Sequence, residues 1–306
     1  MKRLIAGLAA GAALCGLAVS AVPADASGTH AGSGSAAAEA AAAASLSKHA
    51  PKKVDILKVS GLTATDFENV ALIYKTESQE GDDQYALELK FAKAAAALGS
   101  ANAMLWMGEM YQGEHIGVTG RRAVQIAIRW WNLAAEAGMP RGWANIGLLY
   151  MHNTVPGGGD NFAGIPLDNT VAFSYMLKAS DAGDSKAPRY LGLMYQDGTG
   201  VGQDDAKAAQ YFELASDRGD STGRLYYADY LLAGTGVDQD VEGAIALYKA
   251  LVDDEAHDIA TAAYTLGEIY EQGVYVPADT ATALSYYEIA LANGNTDAQA
   301  AIDRLS

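Results

Sequence analysis

A short phrase returns five times along the chain: MLWMGEMYQG, ANIGLLYMHN, RYLGLMYQDGTGV, LYYADYLLAGTGV and YTLGEIYEQG. Gly108, Gly147, Gly192, Ala228 and Gly267 mark its register and stand 36 to 45 residues apart. A near-constant period of that size is the signature of a solenoid. A two-helix unit cannot bury its own apolar face, so it gains stability by stacking on neighbours. Half of the residues are hydrophobic, 50%, and many of them are alanine, which suits close helix packing. The expected class is all-α, a right-handed α/α superhelical solenoid whose long groove suits a protein ligand.

The phrase after each copy predicts the second helix of the unit. Asp168, Asp204, Asp240 and Asp279 each stand four residues before an alanine, Ala172, Ala208, Ala244 and Ala283. An aspartate there caps first-turn N–H groups and complements the helix dipole. A bulky pair follows: Tyr175 and Met176, Tyr211 and Phe212, Leu247 and Tyr248, Tyr286 and Tyr287, with Trp130 and Trp131 in the first full copy. Gly183, Gly219 and Gly294 then stop the helix in the left-handed conformation. Glu255 takes that place once, which predicts a different ending there. The glycines inside the first helices weaken those helices by about 1 kcal/mol each relative to alanine. Close approach of the neighbouring helix explains them, and Ala228, the next smallest residue, fits that reading.

Outside the repeats the composition changes. Residues 1–26 read as a secretory signal: Met1, Lys2 and Arg3, an apolar run from Leu4, and the small-x-small pattern at Ala24-Asp25-Ala26. The run is interrupted by Gly7, Gly11 and Gly16, unlike a retained membrane anchor, so no stable membrane insertion is expected after cleavage. Cys15 is the sole cysteine, and Leu14 precedes it where lipid attachment calls for a small residue. Residues 27–60 form an Ala/Ser/Gly-rich tether, residues 61–100 a degenerate helical repeat that caps the array, and residues 298–306 a closing helix. Five repeats occupy residues 101–297, at about 101–139, 140–184, 185–220, 221–258 and 260–295.

The phrases together resemble the Sel-one-like repeat family, relatives of tetratricopeptide repeats. The third copy carries nearly the whole pattern: Leu191, Gly192, Tyr195, Gly198, Gly200, Val201, Asp204, Ala208, Tyr211, Phe212, Ala215 and Gly219. Two departures stand out. Ala123 replaces the aspartate of the first copy, and HNTVPGGGDNFAGIPLDN, from His152 to Asn169, interrupts the second. Long loops on rigid scaffolds often carry function. The resemblance implies an adaptor module, exported bacterial examples being associated with envelope regulation, surface-polymer systems and host contact. A periplasmic or secreted location is expected.

Chemistry is scarce in this pattern. Cleavage of the signal leaves no thiol, which removes disulfides, thiolate zinc sites and cysteine nucleophiles. No histidine pair has the spacing of a helical metal site, so neither metal nor cofactor is expected. A formal charge of −16 argues against nucleic acid. If first-helix residues line the groove, as the resemblance implies, the partner-binding set includes Asn102, Glu109, Gln112, Arg141, Trp143, Leu148, Arg189, Leu193, Asp229, Tyr264, Glu268 and Glu271. Mixed Arg, Leu, Tyr and carboxylate chemistry suits a protein or peptide better than a small molecule. All four tryptophans, Trp106, Trp130, Trp131 and Trp143, lie in the first two full copies near Arg121, Arg122, Arg129 and Arg141, an interface-like composition. At least one of Trp130 and Trp131 is expected to pack between helices, leaving Trp143 for a partner. A non-catalytic adaptor is the leading expectation. The alternative is a wall- or polysaccharide-acting hydrolase using groove carboxylates such as Glu109 and Glu268 as acid and base.

Overall fold

Alternating helix and tight turn make up the computed structural model, which describes residues 63–77, 82–113, 118–152 and 167–306. The expected signal, the tether, the start of the cap and most of the insertion between His152 and Asn169 lie outside these residues. Thirteen helices are present among the described residues and no strand. They fall into two compact units, divided at Met107 and Gly108.

The first unit contains α1 (Ala64–Glu77), α2 (Asp82–Ala97) and the start of α3 (Ala101–Gln112). Alanines 92 and 94 to 96 are buried, and the Phe67 and Phe91 rings lie 6.3 Å apart between α1 and α2. Ser100 Oγ accepts from Ala103 N, capping α3, and donates to Glu68 Oε2 at 2.7 Å.

In the second unit the end of α3 is followed by α4 (Gly120–Glu136), α5 (Arg141–His152) and α6 (Asn169–Asp181). Then come α7 (Ala187–Asp197), α8 (Asp205–Asp217), α9 (Ser221–Ala233) and α10 (Val241–Asp253). The chain closes with α11 (Ile259–Gln272), α12 (Thr280–Ala292) and α13 (Asp297–Leu305). Up to α12, odd-numbered helices are the first helices of the repeats and even-numbered ones the second; α1 packs on α2, and from α4 to α13 each helix packs on its sequence neighbours. The result is an α/α solenoid.

Close approach does account for the first-helix glycines. A Cβ built on Gly192 would stand 2.5 Å from the Phe212 ring, and one on Gly267 would stand 2.6 Å from the Tyr287 ring. Trp131 fills the same space beside Gly108 and Met176 beside Gly147, while Ala228 lies in one buried cluster with Tyr248. Thus the second member of each bulky pair becomes the centre of its repeat: Trp131, Met176, Phe212, Tyr248 and Tyr287 are all fully buried.

The aspartates cap as expected. Asp168 accepts from Thr170 N and Val171 N, Asp204 from Lys207 N, Asp240 from Gly243 N, and Asp279 from Ala281 N and Thr282 N. Their own N–H groups donate back to carbonyls of the first helix, at Tyr150, Tyr195, Leu231 and Tyr270, which pins each interhelical loop. Gly200, at φ +75°, is the tightest point of such a loop, because a Cβ there would overlap the Asn169 carbonyl at the start of the preceding repeat's second helix.

One expectation is corrected. The helix before Glu255 ends as its siblings do, with Glu255 itself at φ +47° in the left-handed region, and Glu255 N donates to Val252 O as Gly219 N donates to Ser216 O. The repeat geometry imposes the conformation on a residue with a Cβ, at roughly 1 kcal/mol. Glu255→Gly is therefore expected to raise stability by about 0.5–1 kcal/mol in urea denaturation. A neutral or destabilised variant would show that the Glu255 side chain offsets its own strain.

Candidate functional site

From α5 onward the first helices form one row, each tied to the next by polar side chains. Arg141 Nη1 lies 3.8 Å from Asp184 Oδ1, and Arg189 Nε lies 3.0 Å from Asp220 Oδ1, as ion pairs without hydrogen-bond alignment. Both aspartates are also buried helix caps: Asp184 accepts from Lys186 N and Ala187 N, and Asp220 accepts from Gly223 N. Arg224 donates to Asp254 at 2.8 Å, and Ser221 and Thr222 both donate to Asp258. Tyr230 Oη donates to Gln196 Oε1 at 3.2 Å, joining α9 to α7. At the end of the row Arg304 of α13 grips Glu271 of α11 with two hydrogen bonds of 2.9 and 2.8 Å.

This arrangement redefines several of the expected binding residues. Arg141 and Arg189 hold repeats together, so charge reversal there would strand a buried aspartate rather than probe a surface. Leu148 is 4% exposed and belongs to the core with Ala172, Met176, Leu191 and Met194, and Gln112 is 5% exposed. These two side chains are covered, so they do not belong to an open surface. Lys178 Nζ sits 3.9 Å above the Trp143 ring, whose indole nitrogen is buried, so Trp143 packs within its own repeat instead of standing free. Trp130 and Trp131 are both buried, at 5% and 1% exposure. Glu109 and Asn102 are exposed on α3, and Leu193 is half-buried on α7.

Repeats four and five bring the remaining residues together. The Tyr248 ring crosses beneath α9, and its buried hydroxyl donates to Asp229 Oδ1 at 2.5 Å. Tyr287 likewise crosses beneath α11 and donates to Glu271 Oε2 at 2.6 Å, its ring 5.4 Å from that of Tyr264. Asp229 is open to solvent, yet neighbouring helices desolvate its carboxyl and push it above the ordinary aspartate range, against the downward pull of the Tyr248 bond. Glu268 is also pushed up, first by burial and then by the charge of Glu271. Glu271 is held down, first by the Tyr287 hydroxyl and then by Arg304. Tyr248, Tyr287 and Arg304 were not anticipated as partners of these carboxylates, although a tyrosine opposite a small first-helix residue was the signal available.

A raised Glu268 beside a lowered Glu271 has the pattern of an acid and a base. However, Arg304 occupies both Glu271 oxygens and Tyr287 adds a third hydrogen bond, so that carboxylate is committed to fastening α13. Among the described residues no three His, Cys, Asp or Glu side chains converge as a metal site, and no helix is long and apolar enough to cross a membrane. Three of the histidines, His30, His49 and His115, lie outside the described residues.

The Sel1 repeat matches residues 101–139, 158–184, 185–220, 223–251 and 260–295. Among solved structures, the chain is similar to c5321, described as a protective antigen of uropathogenic Escherichia coli strains displaying an SLR fold, at 28% identity and a TM-score of 0.63. That similarity covers 79% of this chain and 48% of c5321, so the chain spans about half the length of that relative. It is also similar to a Sel1 repeat protein from Oxalobacter formigenes, at 26% identity and a TM-score of 0.58, covering 77% of this chain and 86% of the other. No curated protein matches it. Five repeat matches spread across more than half of the chain, on helices that stack as repeats, establish that it belongs to the Sel1 repeat family.

Proposed function

We propose that this protein is an exported, non-catalytic scaffold that holds a segment of another protein against the first-helix face of its repeats, in a bacterial cell-envelope or regulatory system. Sel1 repeats generally serve protein–protein interaction. The observation that carries the reading here is Asp229, a carboxylate kept at an exposed position of the row although its surroundings disfavour its charge. A group that weakens the fold at neutral pH and remains reachable is well suited to a partner. The apolar start of the chain, with its Ala24-Asp25-Ala26 pattern, supports export.

Two measurements test the reading. Peptide display against the chain from Ser27 to Ser306, counter-selected on its Asp229→Asn, Leu193→Ala variant, is expected to enrich peptides that bind the parent at least tenfold more tightly. Families that bind both proteins equally would remove the face from the reading. Residues 1–26 fused to a reporter active only outside the cytoplasm are expected to yield activity and a shortened fusion. A full-length, inactive fusion would remove export.

The sign of the Asp229 contribution is also testable. Its folded pKa lies above the unfolded one, so the penalty is present above the folded value and is relieved as pH falls below the unfolded one. Asp229→Asn retains an oxygen for the Tyr248 hydroxyl and is expected to melt at a higher temperature than the parent at pH 7, the gap narrowing towards pH 4. An unchanged gap across that range would contradict the assignment.

A further inference from the structure

We infer that α13 is exchangeable between copies of this chain, and that its seat on α11 and α12 is a self-association surface, where the α13 of a second copy takes the place of the resident helix and the exchange is reciprocal.

The register of α13 is that of a first helix. Nine residues after Gly183 and Gly219 come the small Gly192 and Ala228, and eleven residues after them the buried Met194 and Tyr230. The same count from Gly294 gives Asp303, which is exposed, and Leu305, which is only half-buried. A carboxylate at the small-residue position bars a further ring from covering this helix, because its charge would be buried. Thus α13 keeps one packed side, where Ala298 and Ala301 meet Ala263 of α11 and Ala283, Tyr287 and Ala290 of α12 in a single cluster. Those two alanines are its only buried side chains.

The turn that carries α13 lacks the locks of the earlier junctions. Asp184 and Asp220, each just after a glycine stop, are buried, cap the helix that follows and face Arg141 and Arg189 of the repeat before. Between the fourth and fifth repeats Asp258 takes bonds from Ser221 and Thr222. After Gly294 stands Asn295, whose side chain makes one hydrogen bond among the described residues, from Asp297 N of its own turn at 3.1 Å. Thr296, the residue before α13, gives no side-chain cap. Gly294 is at φ +97° with open space around its Cβ position, so nothing crowds the turn. Polar attachment comes at the far end instead, from Arg304 to Glu271. At nine residues α13 falls short of the about 12–15 that an isolated helix needs, so it owes its helical form to the seat.

Exchange sets few contacts against it, because those made with a second copy are the ones given up at home. Only the tether favours the resident helix, through its high effective concentration. Removing the turn reverses that preference. Without Gly294 and Asn295, α12 and α13 run on as one helix, and two such helices side by side in opposite directions place each α13 on the α12 of the other copy.

The test uses the chain from Ser27 to Ser306. By light scattering after size exclusion, the parent is expected to show a minor dimer that grows with concentration, and the chain lacking Gly294 and Asn295 to be mainly dimeric. Ala301→Glu, which puts a charge into the seat, is expected to return both to monomer. Anisotropy of a fluorescein-labelled peptide of residues 295–306 reads the seat directly. The peptide is expected to bind the Arg304→Glu chain, whose resident helix Glu271 repels, at least tenfold more tightly than the parent, since the resident helix competes less. The same peptide carrying Ala301→Glu is expected to bind at least tenfold more weakly. Every chain is checked for folding by circular dichroism. A folded turn-deleted chain that stays monomeric, a dimer that survives Ala301→Glu, or a peptide that binds the parent and the Arg304→Glu chain equally or not at all overturns the inference. If the deletion unfolds the chain, the peptide measurement decides alone.

Discussion

Gly200→Ala is expected to lower stability by roughly 3–4 kcal/mol. Two independent effects add at this position. The backbone is at φ +75°, where a residue with a Cβ is disfavoured by about 1–2 kcal/mol. The new carbon would also overlap the Asn169 carbonyl, a backbone atom that cannot swing aside as a side chain can. Overpacking of that kind typically costs about 1–3 kcal/mol. Two controls separate the effects. Gly183 is at φ +96° with open space around its Cβ position, so Gly183→Ala is expected to show only the first effect, about 1 kcal/mol. Gly202 has neither a left-handed φ nor a neighbour, and Gly202→Ala is expected within about 0.5 kcal/mol of the parent. Urea denaturation of the three variants decides the matter. If Gly200→Ala is no worse than Gly183→Ala, contact between consecutive repeats at this loop contributes little.

The second large effect is expected at Phe212, whose replacement by alanine should cost about 3–5 kcal/mol. Its ring is fully buried and lies 5.0 Å from the Tyr226 ring and 5.1 Å from the Tyr230 ring, both belonging to the next repeat. Removing it empties the centre of one repeat and part of the stacking surface of another. The partner position allows a sharper test. Gly192→Ala is expected to cost about 2 kcal/mol in the parent, because its Cβ meets this ring. In a Phe212→Leu background the same substitution is expected to be nearly neutral, since the smaller side chain leaves room. A double-mutant cycle without coupling would contradict the close-approach explanation of the first-helix glycines.

Those glycines were legible in the sequence because their cause is local to one repeat: a small residue on one helix and a large one at a fixed distance on the next. The aspartate caps were legible for the same reason, each acting on its own first turn. The candidate surface was less legible. Register tells which side of its own helix a residue faces, but not whether the following repeat covers it. Leu148 and Leu193 occupy equivalent positions, yet the first is buried and the second only half so. Arg141 and Arg189 read as groove residues because their partners, Asp184 and Asp220, stand far along the chain at the last position of each repeat, just after the glycine stops. Tyr248 and Tyr287 were legible as core rings, but not the hydrogen bonds that their buried hydroxyls give to Asp229 and Glu271 of the first helices.

The bonds between neighbouring repeats are unevenly distributed, and this sets an order of opening. At the junction of the second and third repeats, Arg218 donates to the carbonyls of Ser180 and Asp184 while Arg141 faces the Asp184 carboxylate. Gly200 lies against Asn169 at the same junction. At the far end the closing helix α13 is only nine residues long, and its polar attachment runs through the largely exposed Arg304. In a linear array, where each unit answers mainly to its neighbours, exchange of amide hydrogens becomes a map of these junctions. Protection is expected to be greatest in α6 and α7 and to decline towards α13, so that the fourth and fifth repeats belong to the more readily remodelled part of the protein.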